Sequence, residues 1–255
     1  MNKAEKVLDW VIVLITIIFM VLGAKKMSGQ VTIRTKVFLS GVYDHTTGQM
    51  RTTLADSGLL PLSQPYTLPP YSFTKIGLSA CDSVDSNTVD WIWIAVRDKN
   101  NRANVVCSGA ATLDKYGEAV ILMDIVPDYY FVSVHHRNHL AVMTDDSIYL
   151  DSTSVGFTDI PLWSKPGQQP CRIIDNKQML YAGDVNGDKI VKYNGVYMND
   201  KQALFDFNGT TSVHHVYRRE DLNLDGVVDY NTDRYHILYT VGVTTPNNIV
   251  TAQIH

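Results

Sequence analysis

The stretch VDWIWIAV, at residues 89–96, indicates the fold class of this chain. It consists mostly of β-branched, aliphatic and aromatic residues and is followed by turn-forming residues at 98–102, as expected for a buried β-strand. Trp91 and Trp93 lie two positions apart and therefore face the same side of a strand. They could form a platform for stacking on sugar, but their apolar neighbours favour packing in the core. We predict a central strand that buries both indoles.

Similar strand-like segments lie on both sides of this stretch and are separated by turns rich in Asp, Asn and Gly. Many short strands about ten residues apart, without long helical periodicity, are typical of an antiparallel sandwich or barrel. The proline-rich residues 56–72 instead predict a long ordered loop or an arm that covers a sheet edge. We predict a mainly β fold, with an antiparallel β-sandwich over residues 31–160. The predicted strand segments are residues 31–43, 89–96, 103–107, 119–125, 130–134, 140–143 and 147–150.

The N-terminal part of the chain contains an uncharged apolar run of 14 residues, VIVLITIIFMVLGA, at residues 11–24. Lysines flank the run, which is shorter than the roughly 20 apolar residues that a membrane-spanning helix needs. Its length is typical of the apolar part of a signal peptide. Residues 1–30 are therefore predicted to be a signal peptide or, if uncleaved, a signal anchor, through which alone the chain would contact a membrane. In both cases we expect export, to the extracellular space or the cell surface.

The composition argues against several classes of protein. Hydrophobic residues make up 45% of the chain, so we expect it to be mostly folded. Its 22 Lys and Arg against 26 Asp and Glu give a net charge of -4, which leaves no basic excess for binding nucleic acid. Cys81, Cys107 and Cys171 form no CxxC motif, so we expect no zinc ribbon and at most one disulfide. We predict no catalytic role for any of them.

The last 75 residues contain a duplicated acidic pattern. The first loop, DVNGDKIVKYN at residues 184–194, is matched 37 residues later by the second loop, DLNLDGVVDYN at residues 221–231. An acidic and a basic residue follow each loop, at 200–201 and at 233–234, and an apolar segment follows each pair. The sequence therefore repeats one unit, which is built around the pattern D-x-N-x-D.

Calcium binding explains the spacing of the oxygen-bearing side chains in each loop. Ca²⁺ prefers six to eight oxygen ligands, which such a loop supplies from side chains at positions 1, 3 and 5 and a backbone carbonyl at position 7. We expect the apolar residue at position 8 to pair each loop with its partner loop. Position 12, the usual place of a closing carboxylate, holds Gly195 or Thr232, so Asp200 and Asp233 are predicted to close the two sites instead. The predicted ligands are Asp184, Asn186, Asp188, Ile190 and Asp200 for the first loop, and Asp221, Asn223, Asp225, Val227 and Asp233 for the second.

The alternative is that both loops are polar turns without a metal, because Asp and Asn favour turns. The duplication, with its matched apolar and tyrosine positions, favours the metal. The two loops differ at position 6, which suits the left-handed conformation of glycine and is Gly226 in the second loop but Lys189 in the first. A side chain there strains the turn, and its positive charge opposes a cation. We predict two calcium sites, of which the second is tighter.

The C-terminal module is too small to be stable on its core alone. A module of about 60 residues buries little apolar surface, so much of its folding free energy should come from the metal. We expect calcium to order residues 181–241, and calcium removal to loosen this module while leaving the sandwich intact.

The run HHRNH, at residues 135–139, is a second candidate for metal binding. In a helix His135 and His139 would face one metal, but four strand steps separate them by roughly 13 Å. Only a tight turn would bring them together. We therefore favour a structural role, at a hydrogen-bonded strand end that includes His136.

The two loops resemble the calcium loops of type I dockerins, in the variant found in large exported and surface proteins of Bacteroidota. The resemblance covers most of residues 31–240 and includes four upstream segments. It implies a surface-exposed β-rich module over residues 31–160, a linker over 161–180, and a dockerin-like calcium module with short helices over 181–255. Such proteins usually have no assigned activity. The upstream segments are KVFLSGVYDHTTGQM (36–50), GLLPLSQPY (58–66), VDWIWIAVRD (89–98) and VSVHHRNHLAVM (132–143).

Three functions fit these observations. The first, which we favour, is a non-enzymatic structural or adhesion protein that binds a protein partner or a cell-surface component. The second is a glycan-active enzyme with an accessory calcium domain, and the third is a carbohydrate-binding protein. The sequence contains no GxSxG, HExxH or phosphate-binding glycine loop. Acidic residues outside the repeats mostly lie at predicted turns, where solvation explains them, although a carboxylate pair for glycosidic chemistry could come from distant positions.

Overall fold

The computed structural model describes residues 29–67, 80–152, 154–195 and 198–254. The predicted export segment lies outside these ranges apart from its last two residues, as do residues 68–72 of the proline-rich stretch. None of the helices in the described ranges is long and apolar enough to cross a membrane. Two hydrophobic cores divide the chain into a β-region, residues 29–180, and a repeat region, residues 181–254.

The regular secondary structure of the β-region is almost wholly β-strand, as the alternating apolar pattern predicts. Turns that contain Asp, Asn or Gly connect most of them. The chain is therefore mainly β, as predicted. The elements of the β-region are β1 (Gln30–Lys36), β2 (Phe38–Leu39), β3 (Tyr43–Asp44), β4 (Gln49–Met50), α1 (Thr53–Asp56), β5 (Thr88–Asp98), β6 (Asn101–Asp114), β7 (Glu118–Asp124), β8 (Asp128–His135), β9 (Val142–Met143), β10 (Ile148–Leu150), β11 (Ser154–Gly156), β12 (Arg172–Ile174) and β13 (Lys177–Leu180).

Two sheets of the β-region contribute side chains to one hydrophobic core. The larger has the strand order β10-β8-β5-β6, with β9 also paired to β8, and the other has the order β11-β1-β7. Most neighbouring strands are antiparallel, but β1 pairs in parallel with β11, and β13 pairs in parallel with β2. The predicted antiparallel arrangement of residues 31–160 is wrong for the pair β1 and β11, whereas β13 of the other pair lies in the predicted linker. The strands of both pairs are far apart in the chain, so no hairpin fixes their relative direction.

Strand β5 lies between β6 and β8 and is buried on both faces. Trp91 and Trp93 are fully buried in the core, which confirms the predicted packing of the two indoles. The described part of the proline-rich stretch contacts this strand. The Tyr66 hydroxyl donates a hydrogen bond to the Trp91 carbonyl, and the Trp91 indole donates to the Pro61 carbonyl at 2.8 Å. Residues 56–67 therefore pack against β5.

The repeat region contains each loop followed by a helix. The side chain of Asn199 accepts a hydrogen bond at the start of the first helix, and the side chain of Asp229 does the same at the start of the second. These are the short helices that the sequence predicts. The elements are β14 (Ile190–Lys192), α2 (Asp200–Asn208), β15 (Val213–His214), β16 (Val227–Val228), α3 (Tyr230–Val241) and β17 (Ile249–Thr251).

The two loops do not pair with each other, so the predicted pairing at position 8 is wrong. Strand β14 of the first loop pairs with β17, and β16 of the second loop pairs with β15. Strands β17 and β15 therefore form the backbone hydrogen bonds that the predicted pairing of the two loops would have formed. The residues at position 8, Val191 and Val228, are fully buried in the core of the repeat region instead.

The predicted linker, residues 161–180, contains β12 and β13, and β13 pairs with β2, so these residues belong to the β-region.

The β-region and the repeat region contribute side chains to each other's hydrophobic cores. Leu224 of the second loop belongs to the core of the β-region, and Leu140 of the β-region belongs to the core of the repeat region. The second loop therefore packs directly against the β-region.

Candidate metal centres

The two loops share one scheme of hydrogen bonds to an aspartate of the following helix. In the first loop the Asp200 carboxylate accepts the N–H groups of Val185 and Lys192, each at 2.8 Å. In the second loop the Asp233 carboxylate accepts the N–H groups of Leu222 and Asp229, also each at 2.8 Å. The donors occupy positions 2 and 9 in both loops, so each helix holds its loop at the same two points.

The side chains at positions 3 and 5 follow the same scheme in both loops. The Asn186 side-chain oxygen accepts the Asp188 N–H at 2.9 Å, and the Asp188 carboxylate accepts the Ile190 N–H at 2.9 Å. In the second loop the matching distances are 3.1 Å, from the Asp225 N–H to Asn223, and 2.8 Å, from the Val227 N–H to Asp225. The structure thus places the predicted ligands of each loop along one tight turn.

The first aspartate of each loop turns its carboxylate toward the backbone of its own loop. Asp184 accepts the Gly187 N–H at 2.8 Å. Asp221 accepts the N–H groups of Asp225 at 3.1 Å and Gly226 at 2.9 Å. A backbone hydrogen bond from Lys189 also lowers the pKa of Asp184, so the first aspartate of each loop accepts two backbone N–H groups of its own loop.

Burial makes these carboxylates costly to ionise. It raises the pKa of Asp184 and that of Asp221 to about 6, that of Asp200 to about 7 and that of Asp233 to about 8. Backbone N–H bonds lower the pKa of Asp200 and Asp233, but less than burial raises it. Among the described residues neither of these two carboxylates forms an ion pair with a basic side chain.

Positive charge is distributed differently around the first aspartates of the two loops. An Arg219 guanidinium nitrogen lies 4.0 Å from the Asp184 carboxylate, and Arg137 lowers the pKa of Asp221 through its charge. At position 6, Lys189 adopts a left-handed φ of 67° and Gly226 a φ of 80°. The first loop therefore carries the backbone strain predicted at position 6, but the second loop carries similar strain at position 4, where Leu224 has a φ of 54° and the first loop has Gly187.

The donor atoms of the loops suit a hard cation. Within the described ranges no group of three His, Cys, Asp or Glu side chains is already gathered around a point that could hold a metal ion. The carboxylates accept backbone N–H groups instead, and each keeps further lone pairs for a cation because a carboxylate offers about four. All of the predicted ligands supply oxygen, which Ca²⁺ prefers and which Zn²⁺ sites rarely use alone.

The HHRNH run, residues 135–139, lies at the end of β8 and is called the junction segment. His136 Nδ1 and His139 Nδ1 lie 3.0 Å apart, and His139 Nε2 accepts the Gly41 N–H at 3.2 Å. Burial lowers the pKa of His135 to about 3 and lowers those of His136 and His139. Neutral imidazoles in a hydrogen-bonded strand end agree with the structural role predicted for this run.

A buried ion-pair cluster beside the junction segment was missed by the sequence reasoning. The fully buried Asp90 carboxylate accepts hydrogen bonds from Arg137 Nε at 2.8 Å, His136 Nε2 at 3.1 Å and the Tyr217 hydroxyl at 2.6 Å. Burial alone would raise the pKa of Asp90, but Arg137 and these hydrogen bonds outweigh it and hold the pKa well below its usual range. The sequence feature that could have revealed this cluster is Asp90, the one acidic residue within the apolar stretch at 89–96.

The three cysteines are free thiols. Cys171 is buried, and burial raises the pKa of its thiol to about 11. A thiol with so high a pKa is a poor nucleophile at neutral pH.

Comparisons with known proteins add little to this picture. No family model matches the chain, and no curated protein matches it. Similar solved structures include two type II cohesin–X-dockerin complexes from Acetivibrio cellulolyticus, one an N-terminal and the other a C-terminal interface mutant. The first is 14% identical with a TM-score of 0.38, and the second is 12% identical with a TM-score of 0.32. Both matches cover 82% of this chain and 94% of the other.

Proposed function

We propose that this chain is an exported, non-enzymatic structural or adhesion protein whose repeat region is a dockerin-like module ordered by two calcium ions. In this proposal the two sheets of the β-region form a β-sandwich. The observation that carries the proposal is the pair of buried aspartates, Asp200 and Asp233. They sit at matching places in two loops, accept matching backbone N–H groups, and form no ion pair among the described residues.

Electrostatics explain why a divalent cation would stabilise these loops. A buried carboxylate loses its hydration, and a second acid nearby adds repulsion, as Asp184 does to Asp200 and Asp221 does to Asp233. A cation would remove both costs at once. Its other ligands would be the predicted oxygen donors at positions 1, 3, 5 and 7 of each loop.

The second loop is proposed to bind calcium more tightly than the first. Each loop has one non-glycine residue at a left-handed φ, Lys189 in the first and Leu224 in the second, but only Lys189 also adds a positive charge. Arg219, 4.0 Å from Asp184, adds a further positive charge that would compete with a cation there.

The partner is proposed to be a protein or another component of a cell surface, bound by a module that calcium keeps rigid. A carbohydrate partner is the alternative, and one observation favours it. Tyr129 and Tyr149 are about half exposed on neighbouring strands, and their ring centroids lie 5.3 Å apart. Since Trp91 and Trp93 are buried, this tyrosine pair and not the tryptophans would have to contact a sugar.

Limited proteolysis of the full chain tests the calcium-dependent order. We expect cleavage within residues 181–241 to be fast in EDTA and slow in excess Ca²⁺, with Mg²⁺ protecting less. Asp225→Ala and Asp188→Ala form a matched pair of variants, one for each loop. Because Asp225 belongs to the proposed tighter site, we expect Asp225→Ala to raise the calcium concentration needed for protection more than Asp188→Ala does. Equal cleavage of the wild-type chain in EDTA and in Ca²⁺ would mean that the loops are turns without a metal.

A binding assay tests the partner. The chain, labelled with a fluorophore, is applied to a glycan array and to intact bacterial cells, each in Ca²⁺ and in EDTA. The proposal predicts calcium-dependent binding to cells that protease treatment of the cells removes. Binding to defined glycans that Tyr129→Ala abolishes would instead support the carbohydrate alternative.

A further inference from the structure

The junction segment of the β-region contacts both loops of the repeat region. Its central residue, Asn138, is fully buried. The Asn138 carbonyl accepts the N–H groups of Gly183 at 3.0 Å and Asp184 at 3.2 Å, at the start of the first loop. The Asn138 side-chain amide donates to the carbonyls of Arg219 at 2.9 Å and Asp221 at 2.7 Å, at the start of the second. Asn138 is therefore hydrogen-bonded to the main chain of Asp184 in the first loop and of Asp221 in the second.

Asn138 is itself fixed by its neighbours in the β-region. His139 Nδ1 lies 2.8 Å from the Asn138 side-chain oxygen. Because His139 Nε2 accepts the Gly41 N–H, its Nδ1 carries the proton and can donate to that oxygen. On the other side, Arg137 is paired with Asp90 and also donates to the Arg218 carbonyl. The side-chain amide of Asn138 is therefore held in one orientation before any cation binds.

Other contacts hold the second loop against the β-region at the same place. Arg51 donates hydrogen bonds to the carbonyls of Gly41 at 3.2 Å and Asn223 at 3.4 Å. A Cβ atom at Gly226 would lie 2.5 Å from Leu59 Cδ1, so the loop backbone passes close to the β-region. The β-region thus provides a surface on which the second loop packs, and Asn138 contacts Asp221, the first residue of that loop.

We propose that Asn138 is a positioning residue for the second loop, so that the cation affinity of this loop is set by the β-region. This inference rests on the proposed function, because it concerns the affinity of the loop for calcium. Asn138 does not contact the cation. It acts through the backbone of Asp221, and a loop already held in its bound shape loses less entropy when it binds.

The geometry makes the effect specific to one loop. The side chain of Asn138 contacts the second loop, whereas only its main chain contacts the first. A substitution removes the side-chain contacts and retains the carbonyl. Any change in calcium affinity should therefore fall on the second, tighter site.

The test is calcium titration of the full chain with Asn138→Asp, which keeps the size and the acceptor oxygen but removes both donated hydrogen bonds. Two such bonds correspond to about a tenfold change in affinity. We expect a loss of about tenfold at the tighter site and less than about threefold at the weaker one. In EDTA, hydrogen exchange should accelerate at the amides of Leu222 and Asp229 and not at the matching first-loop amides of Val185 and Lys192.

Thr240→Val is the matched control, because the Thr240 hydroxyl donates a buried 2.6 Å hydrogen bond to Ala182 in the repeat region and touches neither loop. It should lower stability and leave both affinities unchanged. If Asn138→Asp does not fold, Asn138→Ser, in which water can replace the amide, should still weaken the tighter site by about threefold.

The outcomes separate this inference from the proposed function. A wild-type chain that binds no calcium overturns both. A wild-type chain that binds calcium, together with a folded Asn138→Asp variant of unchanged affinity, overturns only the inference. Equal losses at both sites, reproduced by Thr240→Val, would also overturn it, because they would show that Asn138 contributes only to general stability.

Discussion

Two fully buried aspartates, one in each region of the chain, differ in their hydrogen-bond partners and in the direction in which their pKa is shifted. Asp90 of the β-region is paired with Arg137 and accepts further hydrogen bonds from His136 and Tyr217, so its pKa lies well below the usual range. Asp233 of the repeat region accepts only backbone N–H groups among its described contacts, and burial raises its pKa to about 8. The β-region thus supplies a basic side chain for its buried carboxylate, whereas no basic side chain among the described residues pairs with Asp233.

This difference also revises the expected effect of calcium removal. The sequence predicts a module that loosens independently of the sandwich. The second loop, however, packs into the β-region through Leu224 and is hydrogen-bonded to Asn138. Because these contacts do not involve a cation, we now expect the second loop to stay attached to the β-region in EDTA and the first loop to loosen more.

The largest expected effect comes from neutralising each aspartate in turn. Asp90→Asn leaves Arg137 buried without its counter-charge, so it should lower the free energy of unfolding by about 3–5 kcal/mol. Asp233→Asn leaves no buried counter-charge behind, but its amide nitrogen would face one of the two N–H groups that the carboxylate accepts, so in EDTA the loss should be smaller, about 1–3 kcal/mol. Urea unfolding in EDTA measures both. Equal losses for the two variants would show that Asp233 is already neutralised within the chain.

The pH dependence of stability should also differ between the two regions. The folded-state pKa of Asp233 is raised, so in EDTA its favourable contribution is present below about pH 4 and is lost as the pH rises toward about 8. The folded-state pKa of Asp90 is lowered, so its contribution is present at neutral pH and is lost in acid. Hydrogen exchange at pH 5 and pH 8 in EDTA should therefore show the repeat region less protected at pH 8, after correction for the intrinsic exchange rate. No relative change between the regions would contradict the assigned charges.

A smaller effect is expected from Gly226→Ala. The new Cβ would lie 2.5 Å from Leu59 Cδ1 and would occupy a left-handed φ of 80°. Crowding of this kind typically costs about 1–3 kcal/mol, and it should displace the second loop from the β-region. Thermal unfolding measures the loss, and Gly209→Ala, at a positive φ with open space around its Cβ, is the matched control for backbone strain alone. Equal losses in the two variants would argue against close packing at Leu59.

The smallest effect is expected from Lys189→Gly, which gives the first loop the glycine of the second. It removes a strained left-handed side chain and a positive charge, so calcium affinity of the first loop should increase by about threefold to tenfold. Lys189→Ala keeps the strain and removes only the charge, and it should give part of this gain. A lower affinity in Lys189→Gly would mean that the lysine helps the first loop to close.

Local patterns predicted much of this structure, and long-range contacts were missed. Alternation and aromatic content identified β5, and the spacing of Asp and Asn identified the turns of both loops. The sequence gives no local sign that Asp90 meets Tyr217, which lies 127 residues away. It also gave no sign that β17 pairs with the first loop, because such contacts depend on the path of the whole chain. The role of Asn138 was hidden for the same reason, although the junction segment stood out as a polar run.

The central claim is that the buried carboxylates of the repeat region bind calcium. Isothermal titration calorimetry of the full chain with Ca²⁺ tests this claim most directly. The account predicts two calcium ions per chain, with the tighter site lost in Asp225→Ala and the weaker site lost in Asp188→Ala. Absence of binding in the wild-type chain, or binding that neither substitution changes, would contradict it.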